Sequence, residues 1–130
     1  MGLRFPKEEK LKSRKLIEQI FAEGESRKKF PVKVVFIPQE TLKTHQAAFS
    51  VPKRNFKLAV TRNRIKRQMR EAYRLQKKEV PQKNGKNLAM VFIYISKEKP
   101  QYAQLDSSIK ALLKKLWLWK FLVYSFSGLS

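Results

Sequence analysis

The side chains best suited to chemistry in this chain are cations. They concentrate between Lys53 and Lys78, where Glu71 is the only acid. The run Arg62-Asn63-Arg64-Ile65-Lys66-Arg67-Gln68-Met69-Arg70 carries guanidinium or ammonium groups at most of its polar positions. Arg offers a planar fork of donors that matches phosphate oxygens, and Lys offers a compact point charge. Asn63 adds a neutral donor and acceptor that fit a base edge or a ribose 2′-hydroxyl. Each phosphate neutralised by such a surface releases condensed counterions, so binding should weaken steeply with salt. Other chemistry-bearing residues are scarce. His45 has no cysteine or carboxylate cluster near it in sequence, the chain has no cysteine, and its four glycines form no phosphate-cradling loop. The sequence therefore assigns no catalytic side chain and no metal-ligand set, and it offers nothing for a small-molecule substrate.

A helix over 61–79, ended by Pro81, is the element predicted to position these cations. With Ile65 at zero and about 100° per residue, Ala72, Gln76, Met69 and Tyr73 fall between about −20° and +80°, a stripe for burial that only Gln76 interrupts. Lys66, Lys77, Arg70, Asn63, Arg74, Arg67 and Lys78 fall between about 100° and 220°. Glu71 sits at the edge of that arc. A helix needing only solubility would intersperse acids at i,i+4 to relieve the repulsion. Arg62 and Arg64 lie off the main arc, in the first turn, where free backbone N–H groups also attract anions. The pair Lys53-Arg54 leads into the helix.

The 130 residues fit a single domain spanning 1–130, and 42% are apolar, enough for one modest core. The 30 Lys and Arg against 10 Asp and Glu leave a net charge of +20. Solubility needs a magnitude of only about 2–8. Nucleic acid is the first candidate for the balancing polyanion, and an anionic membrane surface is the second. The opening Met1-Gly2-Leu3-Arg4-Phe5-Pro6 lacks the apolar core of a signal peptide, which together with the absence of cysteine leads us to expect a cytoplasmic protein.

Around the basic helix the pattern is mixed α+β. A short helix is predicted over 13–24, capped by Ser13 and closed by Gly24. Residues 25–29 read as a polar, basic turn. Strands follow at 30–38 and 46–51, with a further strand possible within 39–52. Asn84-Gly85 marks a turn. The continuous apolar run Leu88–Ile95 reads as a strand buried on both faces. Asp106-Ser107-Ser108 opens a last helix with Ile109, Leu112, Leu113 and Leu116 on one face. The order is α-β-β-(β)-α-β-α. Residues 119–130 form an apolar C-terminal extension, too short for a bilayer span of about 20 residues. They are expected to prolong the last helix into the core, against the alternatives of lying on a membrane surface or folding back onto the sheet.

These motifs together resemble the bacterial ribonuclease P protein family. The resemblance rests on Arg62-Asn63-Arg64-Ile65-Lys66-Arg67-Gln68-Met69-Arg70-Glu71, on the lead-in Phe49-Ser50-Val51-Pro52-Lys53-Arg54, on Leu11-Lys12 and Phe21-Ala22-Glu23-Gly24, on the Leu88–Ile95 strand, and on Leu112-Leu113-Lys114-Lys115-Leu116-Trp117. It implies a two-layer α/β sandwich like the second domain of a ribosomal small-subunit protein. It also implies a left-handed βαβ crossover formed by the basic helix, where general packing rules favour the right-handed form. It implies that this helix contacts a catalytic RNA, with Arg62, Asn63, Arg64, Lys66, Arg67, Arg70, Arg74, Lys53, Arg54 and Lys12 as RNA-binding residues. It implies that a cleft between the sheet and the first helix holds the single-stranded 5′ leader of precursor tRNA, with Phe21, Ile17, Phe30, Lys33, Phe49 and Ser50 lining it. Chemistry would belong to the RNA, with Mg2+ bound mainly by the RNA and the substrate. Phe is also an ordinary core residue, so packing and leader stacking both stay open for Phe21 and Phe49. A structural RNA-binding protein of ribosomal type is the alternative function, and composition alone does not separate the two.

Overall fold

The computed structural model describes residues 9–76 and 87–129, the stretch from 117 onward as helix backbone. The predicted turn at Asn84-Gly85, the stop at Pro81, and Lys77 and Lys78 lie outside the described residues.

Helix α1 (Arg14–Glu23) starts where expected: Ser13 Oγ accepts the Leu16 N–H at 3.2 Å. It ends where the Gly24 N–H donates to the Ile20 carbonyl at 2.7 Å. The chain then enters strand β1 (Glu25–Lys29), not the predicted turn. This strand buries little of its own surface and shows no apolar alternation, so its residues gave no strand signal. Its stability comes from the antiparallel ladder with β2 (Val32–Gln39), in register from Glu25↔Phe36 to Lys29↔Val32. The extra strand of the topology is therefore this one and does not lie within 39–52. From the other side, α3 secures the hairpin. Ser108 Oγ donates to the Phe30 carbonyl at 2.9 Å and Lys115 Nζ to the Lys28 carbonyl at 2.9 Å.

Strand β3 (Gln46–Ser50) leads through a basic loop into α2 (Ala59–Gln76), which returns to β4 (Asn87–Tyr94). The sheet order is β1-β2-β4-β3; β4 runs antiparallel to β2 and parallel to β3. Helix α2 is thus the crossover between two neighbouring parallel strands. At the outer edge of β3 the chain before α1 adds a bridge, Lys10↔Ala47, and the Leu11 N–H donates to the Ala47 carbonyl at 3.0 Å.

Helix α3 begins at Tyr102 and runs through Leu129, one turn earlier than predicted and continuous into the extension. Asp106 consequently lies inside the helix and is not its cap. Instead its Oδ1 accepts from Gln76 Nε2 at 2.7 Å. That bond accounts for the amide in the buried stripe of α2.

Side-chain alternation along β2 and β4 divides the core. Val32, Val34, Phe36, Leu88, Met90, Phe92 and Tyr94 face the layer of α2 and α3, with Ile65, Met69, Leu105, Leu112 and Leu116. Val35, Ile37, Ala89 and Val91 face α1, with Ile20 and Leu11. Burial of β4 on both faces explains its unbroken apolar run.

Candidate nucleic-acid interface

Helix α2 is held by Ile65, Met69, Ala72 and Tyr73, none more than 2% exposed. Beneath them is an aromatic cluster. Phe49 stacks on Phe92 with centroids 5.5 Å apart and meets Tyr73 edge-on at 5.9 Å, while Tyr73 lies 5.5 Å from Phe92. This packing fixes the rotation of the helix, and with it the direction of the opposite face. Asn63 and Arg67 are exposed there, Lys66 and Arg70 are half-buried, and Arg64 is exposed on the flank beside them. Arg64, Lys66, Arg67 and Arg70 form no ion pair with any described residue. Their charge is therefore left to an outside anion.

Two of the predicted RNA-binding cations have other partners. Arg62 Nη1 donates to the carbonyls of Phe56 at 2.9 Å and Lys57 at 2.8 Å. Its guanidinium closes the loop before the helix, so its first role is structural. Arg74 donates from Nε to Glu71 Oε2 at 3.1 Å and pairs with the same carboxylate through Nη2. The Arg74 hydrogen bond holds the Glu71 carboxyl below the usual carboxylate range, and the same bond raises Arg74. The basic face thus weakens toward the end of α2 and is strongest across its first three turns.

The approach to α2 is also basic. Lys53 and Arg54 are exposed on a turn in which the Pro52 carbonyl accepts the Asn55 N–H at 3.2 Å. Phe56 anchors this loop, 8% exposed, with its ring 5.9 Å from that of Tyr94. Lys12 is exposed beside the outer edge of β3.

The second predicted set does not gather on one surface. Ile17 packs half-buried against the α1 face of the sheet, and Phe21 on the same helix is 56% exposed, which removes it from the core. Ala48 faces α1, so alternation puts Ser50 on that side and Phe49 on the other. Phe49 therefore belongs to the cluster under α2 and not to the α1 cleft. Phe30 is 57% exposed at the hairpin turn, its carbonyl held by α3. Lys33 lies on the α1 face, directly paired with Lys28 on one side and Ile93 on the other, and Ile93 pairs with Ser50. The row Lys28, Lys33, Ile93, Ser50 crosses all four strands, and Ile93 packs at the margin of the core under α1. Lys28 and Ile93 escaped the sequence reading because only strand register brings them into this row.

The family model described as Ribonuclease P matches residues 5–117. The chain belongs to the ribonuclease P protein family. It is 33% identical over 118 residues to the ribonuclease P protein component of Porphyromonas gingivalis, covering 85% of this chain and 84% of that one. The corresponding protein of Chlorobium phaeobacteroides is 33% identical over 127 residues, with 86% and 87% covered. In fold it is similar to the RNase P protein of Thermotoga maritima, with TM-score 0.69, 26% identity, and 82% of this chain and 96% of that one aligned. The Staphylococcus aureus RNase P protein also superposes with TM-score 0.69 at 22% identity, covering 82% and 93%. The family match ends at residue 117, so the helix backbone of α3 continues beyond the shared domain.

Proposed function

We propose that this chain is the protein subunit of a ribonuclease P ribonucleoprotein. It binds the catalytic RNA through α2 and the single-stranded 5′ leader of precursor tRNA on the α1 face of the sheet, and it assists removal of the leader. The observation that carries this is the cluster Arg64, Lys66, Arg67 and Arg70, unpaired by described acids on a helix whose rotation the core fixes. Positively charged, rigid and lacking any acid–base constellation, this surface suits phosphate binding and positioning, and the hydrolytic chemistry belongs to the RNA. The row of Lys28 and Lys33, bordered by Ile93, offers a single strand charge, and Phe21, exposed on α1, offers an aromatic face.

Mg2+ in such a particle is held mainly by the RNA and substrate. Among the described residues no three His, Asp or Glu side chains converge to hold a metal ion. No helix of the described residues is long and apolar enough to cross a membrane.

Reconstitution with a bacterial ribonuclease P RNA tests the reading. The expected result is precursor tRNA cleavage at low magnesium that depends on both components, with none by the protein alone. Specific cleavage by nuclease-free protein without RNA would overturn the division of labour. Copurification with ribosomal RNA and no stimulation of cleavage would favour a structural RNA-binding role.

A further inference from the structure

Beside the basic arc, α2 has a third flank, neither buried against the sheet nor part of the main cationic face. Val60, Thr61, Arg64 and Gln68 lie along it, and Lys99 and Pro100 of the loop after β4 stand opposite. Together they line an open pocket of about 370 Å³. We infer that this pocket holds one unpaired nucleotide of the partner RNA, with Gln68 reading the base edge and Arg64 and Lys99 gripping its phosphate. The inference rests on the RNA-binding reading above but assigns a further site, which shares only Arg64 with the basic cluster.

Three observations support it. The volume lies within the range of about 300–1,000 Å³ typical of pockets for small organic ligands. The lining combines what a single nucleotide requires. Val60, 72% exposed, and Pro100 offer apolar surface to a base, Gln68 and Thr61 supply neutral donors and acceptors, and two cations supply charge. A pocket for an anion alone would not need the first two. Finally, the far wall is preorganised. Tyr94 Oη donates to the Glu98 carbonyl at 2.6 Å, and the Glu98 N–H donates to Ser96 Oγ at 3.0 Å, pinning the loop just before Lys99. The Tyr94 ring meets Phe56, whose carbonyl accepts from Arg62 of α2, so both walls share one framework. Unpaired RNA bases are commonly recognised by such splaying into a pocket with hydrogen bonds to the base edge.

The full chain, isotope-labelled for NMR, would be titrated separately with the four nucleoside 5′-monophosphates and with inorganic phosphate. Resonances of the Gln68 side-chain amide, Thr61 and Lys99 should move with at least one nucleotide at concentrations about fivefold below those needed for phosphate, the factor expected from one added hydrogen bond. Gln68→Ala should remove that preference. It should also weaken binding to the catalytic RNA about fivefold with an unchanged salt slope, because the lost group is neutral. Val60→Asp, at an exposed first-turn position where an acid suits the helix end, should fold normally and reduce both readouts. Equal responses to phosphate and nucleotides would overturn the assignment and leave an anion patch. So would unaltered RNA affinity in both variants. If wild type takes nucleotides here but does not bind the catalytic RNA, the subunit reading fails and the pocket stands. If RNA binding responds to Arg67 and Arg70 but the pocket stays silent, the pocket assignment fails alone.

Discussion

Arg62, Arg67 and Arg70 share one helix, yet the structure gives them different work. Arg67 and Arg70 have no described acid partner and face outward on the basic arc. Replacing both with Ala should weaken RNA binding and reduce the magnitude of the log–log salt slope by roughly 1.5, close to two phosphate contacts. Filter binding across a salt series checks this, and an unchanged slope would refute the assignment. Arg62 is bonded to two loop carbonyls. Arg62→Ala should instead cost about 1–2 kcal/mol of stability in denaturant unfolding, while Arg64→Ala costs little stability and more affinity. Phe21 differs from Phe49 in the same way. Because it is 56% exposed, Phe21→Ala should lose under about 1 kcal/mol of stability, well short of the 3–5 kcal/mol of a core Phe. If it is a leader platform, the mutant should lose precursor tRNA affinity about fivefold or more relative to mature tRNA. Equal loss for both RNAs would remove Phe21 from the leader site.

At the scale of elements, the join between α1 and β1 is closely packed around Gly24. A Cβ on Gly24 would stand 2.4 Å from the Ile20 carbonyl oxygen and 3.0 Å from that of Phe36. Both neighbours are backbone, so neither can swing aside. Gly24→Ala should therefore destabilise the chain by about 1–3 kcal/mol, the usual cost of overpacking. Thermal unfolding measures this. It should also disturb the hairpin, because Glu25, the next residue, pairs with Phe36. A similar division holds between α2 and α3. The Gln76–Asp106 hydrogen bonds clamp the two helices where the apolar stripe of α2 ends: the Gln76 amide nitrogen donates to Asp106, while its buried Oε1 meets no partner among the described residues.

For the molecule as a whole, stability should depend on alkaline pH through Tyr73. Burial, with a smaller contribution from Glu9, raises its phenol above the ordinary value of 10.0. Tyr94 is raised in the same direction, burial again being the largest cause. A group whose folded value is raised contributes its stability fully below the unfolded value and loses it as pH climbs toward the folded one. The melting temperature should thus fall as pH rises past 10.0, and fall less steeply in Tyr73→Phe. Parallel slopes in wild type and mutant would show that Tyr73 is not the group responsible. The net charge of +20 acts at the same scale. It sets long-range attraction for RNA, and salt should slow association before it disturbs the fold.

The basic arc, the buried stripe beneath it and the doubly buried strand β4 were legible in the sequence alone. Each is a periodic pattern produced by one element against a large apolar surface, and periodicity survives in the linear order of residues. The Arg-Asn-Arg run and its lead-in also carried the family. Strand β1 was not legible, because Glu25–Lys29 is held by backbone pairing with β2 and by α3, and it buries too little to leave a pattern. The side of the sheet taken by Phe49 and Ser50 likewise depended on register, since a strand turns successive residues to opposite faces. Arg62 reads like its neighbours until its guanidinium is found on the Phe56 and Lys57 carbonyls. The row of Lys28, Lys33, Ile93 and Ser50 joins residues distant in sequence. Only tertiary structure decides such groupings, because they come from pairing and packing between elements, whereas the cations and apolar stripe of α2 come from the repeat of a single helix.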